Sequence, residues 1–300
     1  MKSSNKSESS YSLLNISVSQ LFDSGVHFGH KKSRWNPKMS SYIYGVKDNI
    51  HIIDLRKTMV LLNRALQALY KVALKNGRIL FVGTKVQAMN LVQEYAEKCG
   101  QYYVNHRWLG GILTNWLTVL NSLKKLENLI EFLKDETQLG DYKKKEILSM
   151  KRKRDKMMSF IGGIRNMGDM PDLLIVLDIN KEHIAIKEAQ IIGIPIIGIV
   201  DTNCNPDNID YPIPGNDDAI KAISLYLSLF SDTIIAGMKD GFSSSRIDIG
   251  ESSKIDTKNT SGKTTKILKK NTHFSENSKI EKLSKEEDKK KFNELVNTNK

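Results

Sequence analysis

Three short apolar runs constrain the fold of this 300-residue chain most tightly: residues 79–83, 173–178 and 194–201. Within each run apolar residues follow one another without alternation. A strand that faces water on one side alternates apolar and polar residues, whereas one covered on both faces does not. Segments with helical spacing lie between the runs. After Asp54, for example, Leu61, Leu62, Ala65, Leu66, Leu69, Val72 and Ala73 fall on one face, and Asn76-Gly77 ends that helix. Strands buried on both faces and alternating with helices predict an α/β body around a mostly parallel sheet.

That body is expected over residues 16–115 and 162–238. It opens with a short helix near Leu21, capped by Ser17 or Ser19. Tyr42-Ile43-Tyr44-Gly45-Val46 and Ile50-His51-Ile52-Ile53 are β-rich and separated by three turn residues, which predicts a hairpin. Residues 211–218 read as a short edge segment ending in a helix cap, and a last helix runs from about Ala219 to Gly237.

Residues 116–161 interrupt the pattern. Trp116, Leu120, Leu123, Leu126, Ile130 and Leu133 repeat at steps of three and four, as do Ile147, Met150, Arg154, Met157 and Ile161. Both are seam patterns. A polar stretch with Gly140 between them predicts a reversal into an antiparallel coiled-coil hairpin that protrudes from the body. At ~1.5 Å per residue each arm reaches roughly 25–30 Å. Its return arm carries Lys144, Lys145, Lys151, Arg152 and Lys153, a candidate contact surface for RNA or a protein. Residues 1–15 are expected to be a disordered lead. Residues 239–300 are expected to be a Lys-rich disordered tail, since few large apolar residues remain there.

The net charge of +12 and pI near 9.4 favour a polyanionic partner. Two distant cysteines, Cys99 and Cys204, exclude a disulfide scaffold and the CxxC spacing of zinc sites. The N-terminus lacks the apolar core of a secretory signal, and the run over 191–200 is too short to span a bilayer, so a cytoplasmic protein with no membrane partner is expected.

Two basic clusters stand out. Residues 25–38 hold Lys31, Lys32, Arg34, Trp35 and Lys38 in what reads as a loop, where cations meet phosphates and an indole offers a flat face to a base or ribose. Residues 102–115 hold His106 and Arg107 beside Tyr102, Tyr103, Trp108 and a glycine pair, at the exit from the body into the insertion. The rings suit base stacking equally with core packing. His27 and His30 are three apart but complete no metal site alone; Asp201 and Asp207 are the acids available to join them. Gly83-Thr84-Lys85 lacks the spacing of a phosphate loop, while Asp178 and Asp201 sit where α/β sheets place their sites. A nucleotide-binding enzyme is therefore the alternative to an RNA-binding scaffold. No cofactor, metal or small-molecule substrate is expected.

Several motifs carry a resemblance. Gly25-Val26-His27-Phe28-Gly29-His30, Arg34-Trp35-Asn36-Pro37-Lys38-Met39, Ile50-His51-Ile52-Ile53-Asp54-Leu55, Phe81-Val82-Gly83-Thr84-Lys85, Arg107-Trp108-Leu109-Gly110-Gly111, Asp201-Thr202-Asn203 and Ile213-Pro214-Gly215-Asn216-Asp217-Asp218 occur in order. Together they resemble the bacterial-type ribosomal protein S two family of the small subunit. The resemblance implies a Rossmann-like (flavodoxin-like) body with a coiled-coil hairpin and a non-catalytic, ribosome-associated role. It implies small-subunit rRNA as partner at the head-body junction, together with neighbouring small-subunit proteins, including ribosomal protein S one. Arg154 and the methionines in the second arm depart from the family's usual leucines.

Overall fold

The computed structural model describes residues 16–134 and 142–252, with side chains to 243. The chain divides into two units, Met1–Gly250 and Glu251–Lys300, and both sheets belong to the first. The first helix, α1 (Val18–Asp23), is capped by Ser17. Its hydroxyl accepts the Gln20 N–H, and the Gln20 side chain accepts the Ser17 N–H at 2.9 Å.

Strands β1 (Phe28–Lys31), β2 (Ile43–Lys47) and β3 (Ile50–Ile53) form an antiparallel sheet in the order β1-β3-β2. The β2–β3 hairpin is the expected one, and Asp48 and Asn49 turn it with φ of 53° and 60°. β1 corrects the loop expected over residues 25–38. Phe28 pairs with Ile52 and Lys31 with Ile50 around a bulge. None of its four residues is fully buried, so no apolar pattern marks it as a strand.

Helix α2 (Leu55–Leu74) starts at Asp54, whose carboxylate accepts the Arg56 N–H. Then follow β4 (Ile79–Val82), α3 (Met89–Lys98), β5 (Tyr102–Val104), α4 (Trp116–Phe132), α5 (Lys144–Ile161), β6 (Leu173–Val176), α6 (His183–Ile192), β7 (Ile196–Val200), β8 (Tyr211–Pro214) and α7 (Ile220–Ser252). The second sheet has the order β5-β4-β6-β7-β8, and every neighbouring pair is parallel. Ranked by sequence this is 2-1-3-4-5, a doubly wound order whose switch point lies between β4 and β6.

Both faces of this sheet are covered. Phe81, Ile175, Ile197 and Ile213 point into a core with α2, α3 and α7. Leu80, Val82, Leu174, Val176 and Ile196 point into the opposite core, with Trp108, Trp116 and α6. Successive residues of a strand face opposite ways, so two apolar cores require apolar residues at every position. The prolines at 212 and 214 sit on edge strand β8, where a missing N–H is tolerated.

Between β5 and β6, α4 and α5 pack against each other. Their seam positions Leu123, Leu126 and Ile161 are buried and Leu120, Ile130, Met150 and Met157 are half-buried, while Leu117, off the seam, is 75% exposed. Arg154 is half-buried and turned along its own helix, its Nη2 2.6 Å from Asp155. The expected reversal at Gly140 lies outside the described residues, as do the lead (1–15) and residues 253–300 of the tail.

Helix α7 corrects the expected end of the last helix at Gly237, running on to Ser252. A Cβ on Gly237 would lie 2.8 Å from that of Ala73, and one on Gly241 would collide with the Leu74 carbonyl oxygen. The glycines thus allow close packing on α2 instead of ending the helix, and Tyr70 donates to Asp240 at 2.6 Å. Residues 220–243 are long and apolar enough by composition to cross a membrane. Tyr226, Phe230 and Ile234 on this helix are spent in the core of the sheet, while Phe242 near its end is exposed.

Candidate functional site

The C-terminal ends of the parallel strands converge on a polar cluster at the switch point. Lys85 follows β4, Asp178 follows β6, Asp201 and Thr202 follow β7, and Asp217 and Asp218 follow β8. The Lys85 ammonium lies 2.9 Å from Asp217, 2.5 Å from Asp218 and 3.5 Å from Asp178. Burial works against that ammonium, but the bonds to Asp218 and Asp217 outweigh it and raise its pKa. Burial and the charges of Asp201 and Asp178 push the Asp217 carboxyl up to about 7 against the pull of Lys85.

The antiparallel sheet brings His30 into this cluster. Its Nδ1 lies 2.9 Å from Asp201 and its Nε2 3.5 Å from Asp218, and its backbone N–H donates to Thr202 Oγ1 at 2.9 Å. The bond to Asp201 raises the His30 pKa, with burial opposing. Gly29 permits this approach, since a Cβ there would lie 2.6 Å from the Thr202 methyl. Sequence proximity pairs His30 with His27, but the structure separates their roles. His27 stacks on Phe22 with ring centroids 4.2 Å apart, and burial lowers its pKa. The acid that joins His30 is Asp201, while Asp207 is ion-paired with Lys38 instead. Ligand-capable atoms of His30, Asp201, Asp217 and Asp218 lie within 4.8 Å of one another, the geometry of a possible cation site into which the Lys85 ammonium already reaches.

The turn after β4 is closed to a phosphate. The Glu182 carboxylate accepts both the Thr84 N–H at 2.9 Å and its hydroxyl at 2.5 Å, and Lys181 donates to the Thr84 carbonyl at 2.9 Å. The amide that would cradle an anion therefore already faces a buried acid. Asp217 and Asp218, read from sequence only as a helix cap, belong to the cluster, and Asn216 makes the cap by accepting from Asp218 and Ala219. The available signal was an acidic pair within four residues of a strand end, near the C-terminal end of a strand as Asp178 and Asp201 are.

Around this cluster lie the basic residues. Lys31, Lys32, Arg34, Trp35 and Lys38 are all exposed, on the end of β1, on the two 3-10 turns Lys32–Arg34 and Pro37–Tyr42 and, for Trp35, on the extended link between them. The segment is tied to β7 through the Asn36 N–H, which donates to the Thr202 carbonyl at 2.8 Å. Trp35 packs against buried His51, with centroids 5.4 Å apart, and remains 39% exposed.

His106 and Arg107 are exposed beyond β5, three strands across the sheet from β7, or roughly 14 Å at ~4.8 Å per strand. The rings beside them are covered in part or in full. Tyr102 and Tyr103 are half-buried in β5, and Trp108 is buried with its Nε1 donating to Glu188 at 3.1 Å. Glu188 also accepts the N–H groups of Gly111, Leu113 and Thr114. Burial alone would raise its pKa, but these donors hold the carboxyl below its usual range. On α5, Lys144, Lys145, Lys151, Arg152 and Lys153 are exposed.

The sequence profile of the family described as Ribosomal protein S2 matches residues 21–237, which include the switch-point cluster and both basic loops. Two relatives, each named small ribosomal subunit protein uS2, are similar over nearly the whole chain. The one from Rickettsia rickettsii (strain Sheila Smith) is 52% identical over 282 residues, 94% of either chain. The one from Rickettsia typhi (strain ATCC VR-144 / Wilmington) is 54% identical over 266 residues, 89% of this chain and 90% of the relative. With its doubly wound body and a βα turn closed by Glu182, this chain belongs to the ribosomal protein S2 family of the small ribosomal subunit and is not an enzyme.

Proposed function

We propose that this chain is a ribosome-associated structural constituent of the small subunit in the cytoplasm. It binds rRNA at the head-body junction through the C-terminal side of its parallel sheet. The observation that carries this reading is the exposed group Lys31, Lys32 and Arg34 beside a half-open Trp35, anchored to Thr202 after β7 by the N–H groups of His30 and Asn36, which donate to its hydroxyl and its carbonyl. Cations fixed on a rigid support meet phosphates, and a supported indole meets a base or ribose. His106 and Arg107 form a second contact on the same side of the sheet. The α4–α5 pair acts as a coiled-coil hairpin whose basic arm, Lys144 to Lys153, meets RNA or a neighbouring protein. The family resemblance adds docking of small-subunit proteins, ribosomal protein S one among them.

Sucrose-gradient sedimentation of cell extract at low and high salt tests the assignment. Co-migration with small subunits, weakened by salt, is the expected outcome; a peak confined to free protein would falsify it. For the patch, the Lys31→Ala, Lys32→Ala, Arg34→Ala variant should flatten the dependence of log affinity on log salt by about 0.9 for each phosphate that is no longer neutralised. An unchanged slope removes these three residues from the interface.

A further inference from the structure

At the opposite, N-terminal end of the parallel sheet lies a cleft of about 610 Å³ that the rRNA reading leaves unused. Lys71 and Lys75 from α2, Arg78 before β4, Gln101 and Tyr102 at the start of β5, and Met238 from α7 line it. We propose that this cleft seats an unpaired nucleotide of a single-stranded RNA segment, separate from the contacts at the other end of the sheet. The proposal rests on the RNA-binding reading and extends it to a second site.

Three features point to that ligand. Lys71 and Lys75 are exposed and one helical turn apart, a like-charged pair that weakens an isolated helix unless an anion lies beside it. The helix dipole accounts for one cation at the end of α2 but not for a pair. Arg78, on another element, is held at the cleft by Asp169 at 3.9 Å and the Met170 carbonyl at 3.4 Å, so two acids, Asp169 and Asp172, face three cations. Asp172 is engaged as an anchor, its carboxylate accepting the Arg78 N–H at 2.7 Å. The positive charge therefore exceeds the negative, as a phosphate requires.

Second, Gln101 is locked by its oxygen, which accepts the Ile79 N–H at 2.8 Å. Among the described residues, its amide nitrogen meets only the Met238 sulfur, at 3.9 Å. That leaves a donor for a base carbonyl. Third, Tyr102 is half-buried, so its ring is held in place at the cleft wall, where a base can stack on it. The volume falls in the range of small-ligand sites, roughly 300–1,000 Å³.

Because β4 is four residues long, the cleft lies at least ~13 Å from the Lys85 end of the sheet, so one nucleotide does not reach both.

The test uses the full chain and a twelve-nucleotide oligouridine carrying one 4-thiouridine, photo-crosslinked and mapped by mass spectrometry. Crosslinks at Gln101, Tyr102 or Met238 are expected. Lys71→Glu with Lys75→Glu should abolish them and weaken binding about tenfold or more near 0.1 M salt, while co-sedimentation with small subunits persists through the other end of the sheet. Crosslinks confined to residues 31–38 and 106–107 overturn the cleft alone. Saturable binding of uridine monophosphate as tight as that of the oligonucleotide overturns it in favour of a free nucleotide. A chain that neither crosslinks nor sediments with small subunits removes the RNA reading and the cleft with it. The crosslink map needs no variant, so a misfolded double mutant does not leave the question open.

Discussion

Glu188 shows how much one buried side chain fixes. Its carboxylate gathers the Trp108 indole, three backbone N–H groups and the Thr114 hydroxyl, and so sets the path of the connector that carries His106 and Arg107. Glu188→Ala strands these donors in a buried site. An unsatisfied buried donor costs about 1–3 kcal/mol, and partial relaxation keeps several from adding fully, so a loss of about 3 kcal/mol or more is expected in urea unfolding. Glu188→Gln, which keeps an acceptor, should lose less; an alanine variant as stable as the parent would contradict the account. The switch-point cluster predicts a pH dependence. Asp217 ionises at about 7 in the fold against 3.8 ordinarily, so between those values the folded state holds a proton that the unfolded chain releases. Stability then falls as pH rises from about 4 to 7. His30 acts in the same direction. Its raised pKa contributes stability that is full below its ordinary 6.5 and is lost as pH rises through the folded value. Glu188 and Asp54, held low, act only below the ordinary carboxylate range. His27 and His51, lowered by burial, pull the other way as pH rises toward their ordinary 6.5, so the effect of Asp217 is read against a variant. The melting temperature of Asp217→Asn relative to the parent should rise from pH 5 to pH 8, and a difference that stays constant over this interval would refute the assignment.

The α4–α5 pair has a single thin seam, so damage to it should remain local. Leu126 is fully buried there, and Leu126→Ala should cost about 2–5 kcal/mol. Hydrogen exchange should speed up in α4 and α5 while β4, β6 and β7 stay protected. Equal acceleration throughout the sheet would show that the helices unfold only with the body. The same elements show what was legible in the sequence. β4, β6 and β7 were, because a strand covered twice must be apolar at every position. The seam was, because its spacing does not depend on what lies around it. β1 was not: it is held by pairing with β3 and by the Gly29 approach to Thr202, neither of which leaves an apolar pattern. The end of α7 was missed because glycine reads as a helix stop unless the neighbouring α2 is known. At the site, the carboxylates following β6 and β7 were found individually. Their meeting with Lys85, His30 and Asp217 depends on strand order, and no local pattern encodes that. Trp108 looked available for stacking until Glu188, eighty residues away, took its N–H.

The distribution of charge predicts how the whole chain binds. Residues 253–300 contain thirteen lysines and seven acids, so half of the formal net charge of +12 lies outside the α/β body. Charge close to a polyanion raises affinity for any RNA by releasing counterions, whereas specificity requires groups held in one geometry. The body holds Lys31, Lys32 and Arg34 on a supported turn. Removing residues 253–300 should therefore lower affinity for arbitrary RNA and flatten its salt dependence, leaving the melting temperature unchanged. The preference for small-subunit RNA over an unrelated RNA of equal length should be kept or sharpened. The Lys31→Ala, Lys32→Ala, Arg34→Ala variant with the tail intact should do the reverse, keeping most of the nonspecific affinity and losing the preference. Filter binding of both variants to the two RNAs at 50 and 200 mM salt separates these effects. If the truncated chain loses its preference as well, recognition resides in the lysine-rich segment, and the patch beside Trp35 is only a charged surface.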